Sequence, residues 1–204
     1  MAYRIPLESG KYYHIYNRGN NGTTLFYEEK NYYYFLDLYA KYTTPVMDTL
    51  AYCLMGNHFH VLVKIKSEAE RTQVRKNPSP KSKYITLNPS RQLGHVFNSY
   101  AQAINKRYGR TGSLFEEAFR RKEVTSENYL SQLINYIHKN PVKHGFCQDF
   151  KDYPHSSYHS HLSNRQTKLA RKDVLDWFGG KEQFQVFHED KQDEKLIDKY
   201  IIEV

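Results

Sequence analysis

"LMGNHFHVLVKI", residues 54–65, sets two histidines one residue apart inside a run that otherwise reads as a buried strand. Side chains alternate along a strand. Phe59, Val61, Val63 and Ile65 therefore share one face, and His58, His60 and Leu62 share the other. The first face reads as core. The second carries two imidazoles roughly 7 Å apart along the backbone, close enough for the side chains to converge. Two readings fit that face: a pair of half-exposed histidines near a strand start, or half of a metal site, since neutral imidazole is a common ligand.

The neighbouring segments build outward from this strand. "DTLAYCLM" (48–55) reads as a second strand, and the Gly-Asn dipeptide between the two is a hairpin signal, so they pair antiparallel. Upstream, "GKYYHIYNRG" (10–19) alternates as a first strand and ends in the turn "RGNNG". Tyr32, Phe35, Leu36 and Tyr39 at helical spacing predict a helix from Glu28 to Tyr42. Residues 67–88 are polar, basic and proline-containing, and predict a mobile loop or insertion. Leu93, Val96, Phe97, Tyr100 and Ile104 then mark a helix from Pro89 to Tyr108, ended by "GRTG".

"SLFEEAFRRKEV" predicts a fourth strand or irregular hairpin, and Thr125 or Ser126 caps a third helix that runs to Asn140 and stops at Pro141. The order β-α-β-β-α-β plus a helix predicts an α+β fold. The expected form is a ferredoxin-like sandwich, an antiparallel sheet with helices packed on one face. Residues 1–165 form the expected domain. Residues 166–204 are a small C-terminal helical extension, with short helical pieces at "RKDVLDWFG" and "DEKLIDKYI".

The chain has 204 residues, enough for one domain with a proper core. Thirty Lys and Arg against 22 Asp and Glu leave a formal charge of +8, which favours an anionic partner, most often nucleic acid. Nineteen tyrosines and eleven phenylalanines suffice for both a core and base-stacking surfaces. With a mean hydropathy of -0.80 and no apolar run near the ~20 residues of a membrane helix, no membrane partner is expected. "MAYRIPLESG" lacks a signal-peptide core. Cys53 and Cys147 stand apart without CxxC spacing. A reduced cytoplasmic protein, associated with the nucleoid, is the expectation.

No P-loop, G-x-S-x-G or H-E-x-x-H pattern occurs. The third helix, "SENYLSQLINYIHKNPVKHGF", is then the most informative segment. Leu130, Leu133, Ile134 and Ile137 form its apolar stripe. Tyr136 and Asn140, four apart, lie one above the other at the edge of that stripe. A phenol and a carboxamide so placed supply one nucleophile and one oxygen ligand, or else a packing tyrosine and a helix stop. Tyr100 and Tyr108 are followed four residues on by Ile104 and Gly112, not by a carboxamide.

Together, "HFH" on a central strand and "YIHKNPVK" on a later helix resemble the single-tyrosine HUH transposases, most nearly the REP-associated tyrosine transposases. "YHIYNRGN" (13–20), "MGNHFHVLV" (55–63), "GSLFEEAFR" (112–120), "NPVKHGF" (140–146) and "YPHSSY" (153–158) add local matches in the same order. The resemblance implies a metal-dependent single-stranded DNA endonuclease and strand transferase. His58, His60 and Asn140 would bind Mg²⁺ or Mn²⁺, and Tyr136 would attack the scissile phosphate to give a 5′-phosphotyrosine. Relatives often carry Gln where Asn140 stands, and Asn is one methylene shorter. His138, His144 and His155 are not expected to be ligands, His138 facing away from Tyr136 and His144 lying past the proline stop.

The implied partner is single-stranded or hairpin DNA, with the centre built within one chain or across a homodimer. Arg18, Lys106, Arg107, Arg110, Arg120, Arg121 and Lys122 are the candidate phosphate contacts. Two other classes remain open: a non-catalytic nucleic-acid-binding module on the same scaffold, and a metal-independent ribonuclease using histidines as acid and base.

Overall fold

The computed structural model describes residues 5–79, 82–116 and 119–190. In chain order these form β1 (Tyr12–Arg18), α1 (Glu29–Thr43), β2 (Met47–Met55), β3 (His58–Ile65), α2 (Glu68–Arg71), β4 (Thr72–Ser79), β5 (Ser82–Thr86), α3 (Pro89–Arg107), β6 (Arg120–Val124), α4 (Glu127–Lys143), α5 (Tyr158–Leu162), α6 (Arg171–Phe178) and α7 (Lys181–Glu189). β2, β3, β1 and β6, in that order, make one antiparallel sheet. This is the α+β sandwich that the element order predicts.

Phe59, Val61, Val63 and Ile65 do share a face, packed against Phe35 and Leu38 of α1 and Leu93, Val96 and Tyr100 of α3. The opposite face, with Leu62 of β3 and Cys53 and Met55 of β2, packs on Leu130, Leu133, Ile134 and Ile137 of α4. Those four helical residues recur at the spacing of a single apolar stripe, which is why α4 lies flat on the sheet. Val174 of α6 and Phe184 of α7 join the same cluster. The outer edge of β2 is covered by the segment before α5: Leu54 N–H donates to His155 O at 3.0 Å, and Ser157 N–H to Tyr52 O at 2.9 Å. An edge so paired is closed to other chains.

The turn into β3 is held from outside. Gly19 N–H donates to Asn57 O at 2.8 Å, and Leu25 and Phe26 N–H donate to Gly56 O at 2.8 and 3.1 Å. The chain must fold tightly to do this: a Cβ on Gly19 would lie 1.9 Å from Thr23 O. The clamp ends directly before His58.

Two expectations need correction. Residues 67–88 are not a plain loop. Ser67 and Glu70 form a capping box that opens α2, and β4 then pairs with β5 as a hairpin, Thr72 facing Thr86 and Val74 facing Tyr84. Val74 and Tyr84 are exposed, and among the described residues of the hairpin no buried face marks it in the sequence. Second, α4 does not stop at Pro141 but carries on to Lys143. Proline costs the helix one N–H there, and the final carbonyls are met by the chain beyond: His144 N–H donates to Asn140 O at 3.0 Å and Phe146 N–H to Pro141 O at 2.8 Å. The helical piece expected at "RKDVLDWFG" is α6; the one at "DEKLIDKYI" lies outside the described residues.

Candidate active site

Strand register assembles the site. In β1–β3, Arg18 faces His58, Tyr16 faces His60 and His14 faces Leu62. In β1–β6, Tyr16 faces Arg120 and His14 faces Lys122. Cross-strand partners project to the same side, so all these residues share the face that α4 covers. His58 and His60 are consequently not half-exposed: they are 5% and 1% exposed. Their ring centroids lie 5.5 Å apart, with the ring planes perpendicular.

Helix α4 brings a row of three residues to this pair. Tyr136, Asn140 and His144 follow one another at intervals of four, and so lie on one side of the helix. Tyr136 sits edge-on to His60 at 5.9 Å between ring centroids, and His144 sits 4.7 Å from His58. Both ends of the row thus meet the two histidines, and Asn140 is the middle member of the row. Tyr136 and Asn140 are buried. The run of α4 through Pro141 is what carries His144 to His58, which a helix stopping at the proline does not do. His155 stacks on Tyr32, 3.6 Å between centroids, away from this centre.

Hydrogen bonds define the donor atoms. His58 Nδ1 lies 2.7 Å from Asn57 Oδ1, and a carboxamide oxygen only accepts, so Nδ1–H donates and the lone pair is on Nε2. That Nε2 is buried without a partner, as are both Oδ1 and Nδ2 of Asn140. His60 Nδ1 lies 2.9 Å from His14 Nε2, leaving its own Nε2 out of the bond. Burial lowers the pKa of all three rings: His14 to about 3, His58 to about 4, and His60 well below the ordinary value. They are neutral near pH 7, the form that ligates metals.

Unpartnered buried polar atoms cost about 1–3 kcal/mol each, and they are rare enough to need a reason. An imidazole nitrogen and a carboxamide oxygen fit a divalent cation, so the residues present suit the ion that the family resemblance implies. Among the described residues, no group of three His, Cys, Asp or Glu side chains is placed to hold a metal ion. An ion at His58 and His60 therefore needs oxygen donors, from Asn140 or from a substrate.

The sequence-derived basic residues divide. Arg18, Arg120 and Lys122 lie on the α4 face beside the histidines, where Glu116 forms ion pairs with Arg18 and, at 3.6 Å, with Arg120. Arg121 points the other way, donating to Ser90 Oγ at 2.8 Å and lying 4.6 Å over the Phe119 ring. Lys106, Arg107 and Arg110 sit at and beyond the end of α3. There Arg107 approaches Glu28 at 4.0 Å and Arg110 donates to Thr23 Oγ1 at 3.1 Å. The rival tyrosines are remote: Tyr100 is core and donates to Leu25 O at 2.8 Å, and Tyr108 donates to Glu28.

Three participants escaped the sequence reading: His14, Tyr16 and Asn57. Tyr16 stacks on His60 at 5.7 Å and meets His14 in a tilted contact at 4.8 Å. The alternation in "YHIYNR" already puts His14, Tyr16 and Arg18 on one face. Which face of β3 they join depends on a register that only the paired strands define.

No protein-family model matches the chain. Its sequence is similar to that of a Haemophilus influenzae protein named a REP-associated tyrosine transposase, at 26% identity over 112 residues. The match takes in 55% of this chain and 59% of the relative, so it spans less than two thirds of that curated protein. The backbone is similar to that of a REP-associated tyrosine transposase bound to a REP hairpin, with a TM-score of 0.60 and 15% identity. That superposition covers 80% of this chain and 86% of the other. A bacterial tRNA(His) guanylyltransferase-like protein in complex with ATP superposes with a TM-score of 0.41 at 13% identity, covering 86% and 71%, too loosely to carry an argument. The resemblance expected from the ordered motifs thus stands on both sequence and backbone: the chain is similar to the REP-associated tyrosine transposases.

Proposed function

We propose that this chain is a metal-dependent endonuclease and strand transferase for single-stranded or hairpin DNA, working through a covalent tyrosine intermediate in transposition or repeat mobilisation. The observation that carries the reading is the α4 row over the histidine pair: Tyr136 against His60, and Asn140 with its carboxamide unpartnered.

His58, through Nε2, His60 and Asn140, through Oδ1, would hold Mg²⁺ or Mn²⁺. Two imidazoles in the set favour Mn²⁺, since Mg²⁺ prefers oxygen donors. A bound ion supplies neutralisation of the charge that develops on the scissile phosphate. Tyr136 forms the new bond, from Oη to phosphorus, as the phosphorus–O3′ bond breaks. The phenolic proton is released, and the leaving 3′ oxygen ends as a hydroxyl. The 5′-phosphotyrosine retains the energy of the phosphodiester, so that hydroxyl, or another, can reverse the step without a nucleotide cofactor. Arg18, Arg120 and Lys122, on the same face, fit the flanking phosphates.

The nucleophile and both histidines come from the same chain, which supports a centre assembled within one protomer. Histidines held neutral by burial are poor general acids, which weighs against a histidine-only ribonuclease. The test is incubation with end-labelled single-stranded hairpin DNA and Mn²⁺, followed by denaturing electrophoresis. A covalent protein–DNA band that EDTA prevents is expected. Tight binding with no such band would leave a nucleic-acid-binding module instead.

A further inference from the structure

We propose that His14 is a positioning residue: its Nε2 is the acceptor that holds His60 with the proton on Nδ1, freeing His60 Nε2 to bind a metal ion. The proposal rests on the metal-dependent reading of the site.

The two rings meet through His14 Nε2 and His60 Nδ1 at 2.9 Å, and both residues are 1% exposed. A neutral imidazole carries one N–H and one lone pair, so this bond couples the two tautomers. If His14 donated, the His60 proton would sit on Nε2 and block ligation. If His60 donates, its Nε2 lone pair is open. A ligand histidine fixed by an acceptor on its other nitrogen is the usual way a metal site sets tautomer and ring orientation. His58 has such an acceptor in Asn57 Oδ1 at 2.7 Å. His14 is the counterpart for His60.

His14 is also costly to keep as mere packing. With Nε2 accepting, the His14 proton sits on Nδ1, which is buried with no partner, a penalty that an apolar residue of similar size would not incur. A tilted contact with Tyr16 at 4.8 Å and stacking on His60 at 5.1 Å hold the ring plane in place. On the other side His14 faces Lys122 across β1–β6.

The experiment compares Mn²⁺ binding by calorimetry, without DNA, in the parent, His58→Ala, His14→Leu and His14→Gln. Loss of binding in His58→Ala establishes the metal site itself. His14→Leu should then weaken Mn²⁺ about 10–100-fold, the cost of losing an outer partner of a ligand. His14→Gln should restore binding to within about threefold, because its carboxamide oxygen can accept from His60 Nδ1–H. If His58→Ala loses the ion while His14→Leu binds it like the parent, the role of His14 is overturned and the metal site stands. If the parent binds no Mn²⁺, the metal reading falls and this proposal falls with it. Should both His14 variants fail to fold, long-range ¹H–¹⁵N spectra of the Mg²⁺-loaded parent decide. His60 protonated on Nδ1 supports the proposal, and His60 protonated on Nε2 overturns it.

Discussion

Two buried histidine systems lie on either side of α4, and they differ in how completely their polar atoms are satisfied. Under the Tyr136 side, His14 Nδ1, His58 Nε2 and the whole Asn140 carboxamide lack partners. On the other side, His138 is bonded at both ring nitrogens: Nδ1 to His188 Nε2 at 2.8 Å and Nε2 to Ser157 Oγ at 2.7 Å. The proton positions there are determinate. His188 Nδ1 lies 2.7 Å from Phe184 O, which only accepts. His188 therefore donates from Nδ1 and accepts from His138, which in turn accepts from Ser157 Oγ–H; Tyr52 N–H completes the line at 2.9 Å from Ser157 Oγ. His161, beside this chain, donates to Leu50 O at 2.8 Å but leaves Nδ1 without a partner.

Burial is the same on both sides. Satisfaction is not. The satisfied chain ties α7 and the segment before α5 to α4 and β2, whereas the unsatisfied cluster has donor atoms to offer something that is not part of the chain.

The largest effect expected from this contrast is at Tyr136. Tyr136→Phe keeps the ring and its packing, so stability should change by under about 1 kcal/mol. DNA binding should persist while cleavage and the covalent adduct vanish. Tyr16→Phe is the sharper control, because Tyr16 also touches His60; it should retain the adduct, as should Tyr100→Phe and Tyr108→Phe. An adduct formed by Tyr136→Phe but lost in Tyr16→Phe would move the nucleophile to β1. His58→Ala and His60→Ala should likewise abolish cleavage with the fold kept, and unfolding of both would make the pair structural.

Acid should act next most strongly. His161 and His188 are held neutral by burial at a pKa of about 4, against an ordinary 6.5. Arg171 adds to the lowering at His161, and Lys139 and His161 add to it at His188; bonds to the Leu50 and Phe184 carbonyls oppose it. A lowered folded pKa means the unfolded chain binds protons first. Stability is therefore fully present above about pH 6.5 and falls as pH drops toward 4, by on the order of a few kcal/mol per group. Urea unfolding at pH 7, 6 and 5 measures it. Since His58 is lowered to about 4 as well, His188→Gln should remove part of the loss and not all of it. A flat profile across that window would mean the rings are not neutral guests of the fold.

Ser157→Ala is a smaller and more selective cut. It strands His138 Nε2 and Tyr52 N–H together, and should cost about 1–3 kcal/mol. Calorimetric unfolding reads that as a fall in Tm of roughly 2–4 °C per kcal/mol for a chain of this size. Mn²⁺ affinity should stay within about threefold. A tenfold change in metal binding with no loss of stability would show that the two histidine systems are not separate.

How much of this could be seen beforehand depended on the range of the interaction. The faces of β3 follow from period-two alternation, and the Tyr136–Asn140 row follows from helical spacing; both are local. His14 and Asn57 were not seen as partners of His60 and His58, because β1–β3 register joins residues 46 apart and turn geometry sets Asn57. The rule that proline stops a helix puts His144 outside the site. In α4 the chain beyond the proline caps the last carbonyls, so the rule does not hold there. The β4–β5 hairpin is hidden by its polarity: its described residues, 72–74 and 83–86, are exposed on both faces, so there is no apolar alternation to read.

The smallest effect separates two adjacent arginines and carries the comparison of faces into β6. Arg120 projects beside the histidines and Arg121 against Ser90 and Phe119 on the α3 side. If DNA lies along the α4 face, only the first meets a phosphate. Each phosphate neutralised on a single strand contributes a slope of about 0.7 to log K against log salt. Arg120→Gln should lower that slope by about one contact, and Arg121→Gln should leave it unchanged while costing a little stability through its lost stacking. The ion pair with Glu116 softens the first figure, since part of the Arg120 charge is already met within the protein. Arg18→Gln, beside it and sharing Glu116, should behave like Arg120→Gln. Fluorescence anisotropy with a labelled hairpin between 50 and 200 mM salt, roughly the range over which such contacts are lost, decides it. A slope that falls with Arg121→Gln and not with Arg120→Gln would put the nucleic acid on the α3 face, away from Tyr136, and would separate the binding surface from the candidate centre altogether.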